Sequence, residues 1–244
     1  MSGVVPLLFG ALRDHPMAMD FAAQVVRVHK RYATEVVAGY RLCPFLKDVD
    51  TGFGRFCVAM TERIDVEEAK AAFVKAENSI IHMVYPLVRT PPSEFERFGG
   101  EVGRGVRDVW RATPEGDLRF GSEPPVVATF HPRLAGDRTS PHRLIGIMRR
   151  APDPFVQMIP GGHYDSGTVL APLSDVGQLS PEALQKLLAA VPPPPKDRAA
   201  DTFKRLTPAL VDEIEALVAD IHADRDRSYA PFLGELTRQP AGPS

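Results

Sequence analysis

The chain has 244 residues, of which 44% are hydrophobic and 25% are charged, and its formal net charge is -2. This composition is ordinary for a globular protein, and the near-neutral charge gives no reason to expect nucleic acid or an anionic membrane surface as a partner. The two cysteines are too few for a disulfide framework, and the apolar patch near the N-terminus lacks a basic flank and is too short to span a bilayer. We therefore expect a cytoplasmic location.

Helical and strand patterns alternate along the first half of the chain. The predicted elements are a helix at 20–40, a strand at 55–61, a helix at 66–76, a strand at 80–88 and a helix at 93–112. The last of these helices contains four glycines between residues 99 and 105, so we expect a break near its middle.

The second half continues the alternation and then changes character. A strand is predicted at 126–131, a helix at 141–150 with Ser140 as its N-cap, strands at 155–159 and 168–173, and a helix that begins after residue 180. Four consecutive prolines at 192–195 form a stiff spacer before an amphipathic helix at 207–225. We predict an α/β core domain at 1–190, with a layered sheet and flanking helices, and a proline spacer with a C-terminal helical extension at 191–244. An α+β two-layer sandwich is the alternative.

Polar side chains follow several of the predicted strands. In an open α/β sheet, ligands bind beyond the carboxyl ends of the strands. If the strands are parallel, one rim carries Arg89, then His131 with Arg138, and then the loop Gly161-Gly162-His163. Backbone amides at the Ser140 helix start add an element that attracts anions. This rim predicts a site for a small carboxylate or phosphate, with Arg89, Arg138, Ser140 and His163 as substrate-binding residues.

Two motifs carry a resemblance to a known family. Residues 39–45 read Gly-Tyr-Arg-Leu-Cys-Pro-Phe, and Phe-His-Pro at 130–132 is followed by Asp-Arg-Thr-Ser-Pro at 137–141. The sequence resembles the bacterial family known as domain of unknown function 1415, which has similar segments in the same order, and the resemblance covers roughly residues 20–151. The loop after His131 is shorter here and one residue is added between arginine and serine. Gly146 and Arg150 stand where the family pattern has histidine and glutamate. The resemblance implies no activity, but it singles out Cys43, His131, Arg138 and Ser140.

Each candidate residue has a structural alternative. Cys43, in a bend after the first helix, could be a nucleophile or a metal or haem thiolate, or else a small buried hydrophobe. His131 could be a metal or haem ligand or a general base, or else an imidazole that caps the loop after its strand. His142 in the first turn of a helix could ligate a metal as a neutral ring, or else be solvated. Two further histidines, His29 and His222, are predicted to lie on helix surfaces.

Three functions remain open from the sequence. The first is a metal-dependent oxidoreductase acting on a small anionic substrate, with His131 and either Cys43 or His142 as ligands to iron or haem, and with Arg138 in the catalytic set. The second is a hydrolase or acyltransferase in which His131 activates Cys43. The third is a non-catalytic binding or assembly protein that forms a homodimer through the C-terminal helix, although such a helix gains most by packing on its own domain. The sequence contains no zinc, Walker or dinucleotide-binding motif.

Overall fold

A five-stranded mixed sheet lies at the centre of the protein. The structure is a computed structural model that describes residues 5–40, 42, 54–76, 79–114, 117, 119–161 and 204–236. The strands are β1 (Leu7–Phe9), β2 (Arg55–Ala59), β3 (Ile81–Val84), β4 (Val126–Phe130) and β5 (Phe155–Ile159), in the spatial order β1-β2-β3-β5-β4. β1, β2 and β3 are parallel, whereas β5 is antiparallel to both of its neighbours, β3 and β4. β4 therefore runs in the same direction as β3, and the carboxyl ends of these two strands lie at one edge of the sheet, with the start of β5 between them.

Helices cover both faces of the sheet. They are α1 (Ala18–Arg31), α2 (Val66–Ala76), α3 (Pro92–Arg111), α4 (Pro141–Met148) and α5 (Pro208–Leu236), and α1 continues directly into π-helical turns at Tyr32–Ala38. Successive side chains of a strand point to opposite faces, so Phe56 and Val58 pack against α1 and α5, while Cys57 and Ala59 pack against α2 and α3. The α/β fold with a layered sheet and flanking helices, predicted from the alternating patterns, is confirmed. The two-layer alternative is wrong, because helices cover both faces of the sheet.

Most helices and strands lie where the apolar patterns place them. The predicted bounds of α2 and β5 agree with the structure, and the apolar stripe of the 20–40 helix is buried as predicted. The short strand β1 was not predicted. The expected break in α3 is wrong, because the helix is continuous from Pro92 to Arg111. Gly99 serves packing instead: a Cβ at this position would lie 2.0 Å from Cγ2 of Thr129, so glycine allows α3 to approach β4 closely.

The C-terminal helix is part of the same hydrophobic core. α5 is longer than predicted, and Ile214, Val218 and Ile221 lie in the cluster that also contains the apolar face of α1. Ion pairs support this packing, since Arg27 donates two hydrogen bonds of 2.9 Å to the carboxylate of Asp224. The tetraproline, the predicted strand at 168–173 and the helix predicted after residue 180 lie outside the described residues. Within the described chain, none of the helices combines the length and the apolar character that a membrane crossing requires.

Candidate functional site

A cleft opens at the edge of the sheet where β3 and β4 end. It has a volume of about 380 Å³ and lies between the strand ends, the segment that leads into β5, and the middle of α5. Its lining residues are Val88, Arg89, Thr90, His131, Pro132, Arg133, Pro152, Asp153, Pro154, His222, Arg225 and Asp226. The predicted location, beyond the carboxyl ends of the strands, therefore does contain a cavity of the size of a small-molecule site.

His131 is held by backbone groups on both sides of its ring. The residue is only 2% exposed. Its Nε2 lies 3.0 Å from the carbonyl oxygen of Thr90, and its Nδ1 accepts a hydrogen bond of 3.1 Å from the backbone N–H of Arg133. Nδ1 is thus an acceptor, so Nε2 carries the proton and donates a hydrogen bond to the carbonyl oxygen of Thr90. Burial and the positive charge of Arg133 lower the pKa of His131, although the hydrogen bond to Thr90 opposes them. The ring is neutral and caps the loop after β4, which is the structural alternative predicted for it.

Asp153 is the centre of a buried polar network beneath the cleft. Its carboxylate is 0% exposed and accepts hydrogen bonds from the Tyr229 hydroxyl at 2.7 Å and from Nε of Arg225 at 2.8 Å, and it lies 3.2 Å from Nε2 of His29. Burial alone would raise the pKa of Asp153, but the hydrogen bonds from His29 and Tyr229 and the charge of Arg225 outweigh it, so the pKa is lowered. The carboxylate stays ionised and has three hydrogen-bond partners among the described residues.

Arg225 joins α5 to the sheet edge through this network. Besides Asp153, its guanidinium donates to the carbonyl oxygen of Pro86 at 3.0 Å and to Oδ1 of Asp226 at 2.8 Å, and it lies 4.6 Å from the ring centre of Tyr229. These four contacts fix the side chain in a single position. Arg225 therefore holds the α5 wall of the cleft in place, and little of its hydrogen-bonding capacity remains for a ligand.

Two other arginines of the lining have no ion-pair partner in the described parts of the chain. Arg89 follows β3 and Arg133 follows β4, and both side chains are exposed. Neither guanidinium forms an ion pair with any residue that the structure describes. Among the described residues of the lining, three arginines outnumber two aspartates, which gives one net positive charge when the two histidines are left out of the count. The charge and the bidentate geometry of guanidinium groups suit a carboxylate or a phosphate.

His222 is the one half-buried imidazole of the lining, and it comes from α5. Its Nε2 donates to the carbonyl oxygen of Arg150 at 3.2 Å, which leaves the lone pair on Nδ1 of the neutral ring. Nδ1 has no hydrogen-bond partner within the described part of the chain. His222 therefore differs from His131, because it can still accept a proton or a hydrogen bond from a molecule in the cleft.

Several residues predicted for the site lie elsewhere. Arg138 is outside the cleft lining, because its guanidinium binds Asp212 at 2.6 Å and Glu215 at 2.5 Å on α5. Ser140 is the N-cap of α4, as the sequence predicts, and its hydroxyl accepts from the backbone N–H of Arg143 at 3.3 Å. Of the predicted substrate-binding residues that the structure describes, Arg89 alone lines the cleft.

The prediction that the loop beginning at Gly161 lies at the same sheet edge as Arg89 and His131 is wrong. Since β5 is antiparallel to β3 and β4, its end and the following Gly161 lie at the opposite edge of the sheet, where Gly161 pairs with Gly121 ahead of β4. His163 and Cys43 lie outside the described residues, as does the side chain of His142. Among the residues that are described, no three side chains of histidine, cysteine, aspartate or glutamate are grouped so as to hold a metal ion. The iron or haem ligation expected from Cys43, His131 and His142 stays a prediction.

Known proteins give no independent assignment of this site. No family model, no curated protein and no solved structure matches this chain. The resemblance to domain of unknown function 1415 therefore stays a prediction that depends on the two motifs alone.

The sequence did not single out three residues that build the site: Asp153, His222 and Arg225. Asp153 stands between two prolines directly before an apolar strand, which is an unusual place for a carboxylate and is the one local signal that points to it. His222 and His29 were predicted to be helix-surface residues, but His29 is buried against Asp153. The charged pattern of α5 is that of any amphipathic helix, so Arg225 carries no local signal.

Proposed function

We propose that this chain is a small-molecule enzyme that binds the anionic group of its substrate, a carboxylate or a phosphate, between Arg89 and Arg133. The observation that carries the proposal is the pair of guanidinium groups without ion-pair partners among the described residues, placed at the mouth of a cleft of about 380 Å³ beyond the carboxyl ends of two strands. The substrate-binding role predicted for Arg89 is kept, and Arg133 replaces Arg138 as its partner.

His222 is the side chain that we assign to proton transfer. Its Nδ1 has no hydrogen-bond partner among the described residues, whereas both ring nitrogens of His131 are hydrogen-bonded to the backbone. His131 then contributes by holding the loop that carries Arg133, since it accepts that residue's N–H. An oxidoreductase function, with His131 and either Cys43 or His142 as ligands to iron or haem, remains a separate proposal. An absorption spectrum and metal analysis of the purified protein would test it.

Calorimetric titration of the full chain with phosphate, acetate, citrate and a neutral sugar tests the binding step. We expect at least one anion to bind and the neutral sugar not to bind. Hydrogen bonds to charged groups contribute about 1.5–3 kcal/mol each, so Arg89→Met or Arg133→Met should weaken anion binding by about ten- to one hundred-fold. Arg104→Met is the matched control. Arg104 is an exposed arginine of α3, and α3 packs on the sheet face opposite to α1 and α5. If no anion binds, or if the Arg104 variant loses as much affinity as the other two, the proposal is wrong.

A further inference from the structure

A second hollow adjoins the cleft. It has a volume of about 240 Å³, and its lining residues are Pro132, Ile147, Arg150, Glu215, Val218, Ala219 and His222. Pro132 and His222 belong to the linings of both hollows. The charged cleft and the second hollow are therefore neighbours that share these two side chains, between the loop after β4 and the surface of α5.

The second hollow offers apolar surface to a ligand. Its lining includes the side chains of Ile147, Val218 and Ala219, together with the Pro132 ring. Its two charged residues already have partners, since Arg150 donates to Oε1 of Glu215 at 3.1 Å and to the carbonyl oxygens of Leu134 and Gly136 at 3.1 and 3.3 Å. A group that enters this hollow gains mainly by removing apolar surface from water.

The charged cleft and the apolar second hollow together suit a ligand with an anionic group at one end and an apolar tail at the other. We propose that the molecule bound by this protein is an aliphatic carboxylate or alkyl phosphate whose anionic group lies between Arg89 and Arg133 and whose hydrocarbon tail passes Pro132 and His222 into the second hollow. This inference rests on the proposed function, because it assumes that the anionic group binds in the cleft. A water-sized group occupies about 30 Å³, so about eight such groups are the upper limit for the tail. His222, at the junction, can accept a hydrogen bond from a hydroxyl or amide group on the ligand at that point.

A chain-length series tests the tail. The full protein is titrated with n-alkanoates and with n-alkyl phosphates of two to twelve carbons, and the two series distinguish a carboxylate from a phosphate as the anionic group. Each added methylene that becomes buried should tighten binding by up to about four-fold, until the hollow is full and the affinity levels off. A neutral alcohol of the same length should bind far more weakly than the anion.

Filling the second hollow separates the tail from the anionic group. Ala219→Leu places a larger side chain in the hollow, and it should abolish the gain with chain length while binding of acetate or inorganic phosphate is unchanged. Ala216→Leu is the matched control, because Ala216 is an exposed alanine on the same helix outside both linings, and it should leave the chain-length dependence intact.

The possible failures are distinguishable. If short and long chains bind equally while acetate or phosphate still binds through Arg89 and Arg133, the tail site is wrong and the proposed function stands. The same conclusion follows if the Ala219 variant weakens acetate and octanoate equally. If no anion of any length binds, the proposed function fails and this inference fails with it.

Discussion

Replacing Asp153 tests the view that a buried carboxylate anchors α5 to the sheet. Asp153→Asn keeps the size of the side chain but removes the charge that Arg225, Tyr229 and His29 surround. Breaking a buried ion pair from one side costs about 3–5 kcal/mol, because the remaining charge is left in a poorly solvated position. Tyr229→Phe removes a single hydrogen bond to a charged group and should cost about 1.5–3 kcal/mol.

Asp226 provides a matched control for this comparison. It also accepts a hydrogen bond of 2.8 Å from Arg225, but its side chain is 71% exposed whereas that of Asp153 is 0% exposed. An exposed pair contributes about 0–1 kcal/mol, so Asp226→Asn should hardly change the free energy of unfolding. Urea unfolding followed by both circular dichroism and Trp110 fluorescence measures these values and checks that the transition is two-state. If the Asp153 and Asp226 variants lose the same amount of stability within 1 kcal/mol, the reasoning about burial is refuted.

His131, the glycines of α3 and Cys57 provide three further tests of the structure. The pKa of His131 in the folded chain lies below its ordinary value of 6.5, so the unfolded chain binds a proton there more readily and stability should fall as the pH drops below about 6.5. Below that pH, the free energy of unfolding should depend less steeply on pH in His131→Asn than in the unchanged protein. Equal slopes would contradict the prediction. Gly99→Ala should destabilise the protein because the added Cβ clashes with the Thr129 side chain, and the double variant with Thr129→Ser should recover part of the loss. Gly100→Ala is the control, since a Cβ there meets no atom within 4 Å, and it should increase the free energy of unfolding in urea by about 0.5–1 kcal/mol. Cys57 is fully buried and burial raises its pKa to about 12, so a thiol reagent should leave it unlabelled until denaturant unfolds the chain; rapid labelling of Cys57 in the native protein would contradict its placement.

Local patterns were sufficient for most elements of the fold. An amphipathic stripe or an apolar run reports directly which face is buried, and this explains why α2 and β5 could be predicted with their bounds. β1 has three residues, and its pairing with the distant β2 defines it, so no periodicity could reveal it. Gly99 in α3 was misinterpreted because a weak helix former and a close-packing residue look alike until the neighbouring strand is known.

The site was less predictable because non-local contacts create it. The position of His131 at a strand end could be read from the sequence, but its role is decided by the Thr90 carbonyl, 41 positions earlier in the chain. Arg225 and Asp153 are 72 positions apart, and nothing near either residue announces the pairing. The reversed direction of β5 was also invisible to local patterns, and it is this reversal that brings Asp153 to the same edge as His131.

Anion binding by the Asp153 and Asp226 variants distinguishes the charge of the cleft from its shape. Each substitution with asparagine removes one negative charge from the lining, so electrostatics alone would tighten anion binding in both variants, by up to about five-fold if the interaction is that of an exposed pair. Asp153 also fixes Arg225 and hence the position of the α5 wall, whereas Asp226 is an exposed partner of the same guanidinium. We therefore expect Asp226→Asn to tighten binding of the anion found by calorimetry and Asp153→Asn to weaken it. If both variants bind the anion more tightly, the cleft acts only as a cluster of charges and the anchored wall has no part in recognition.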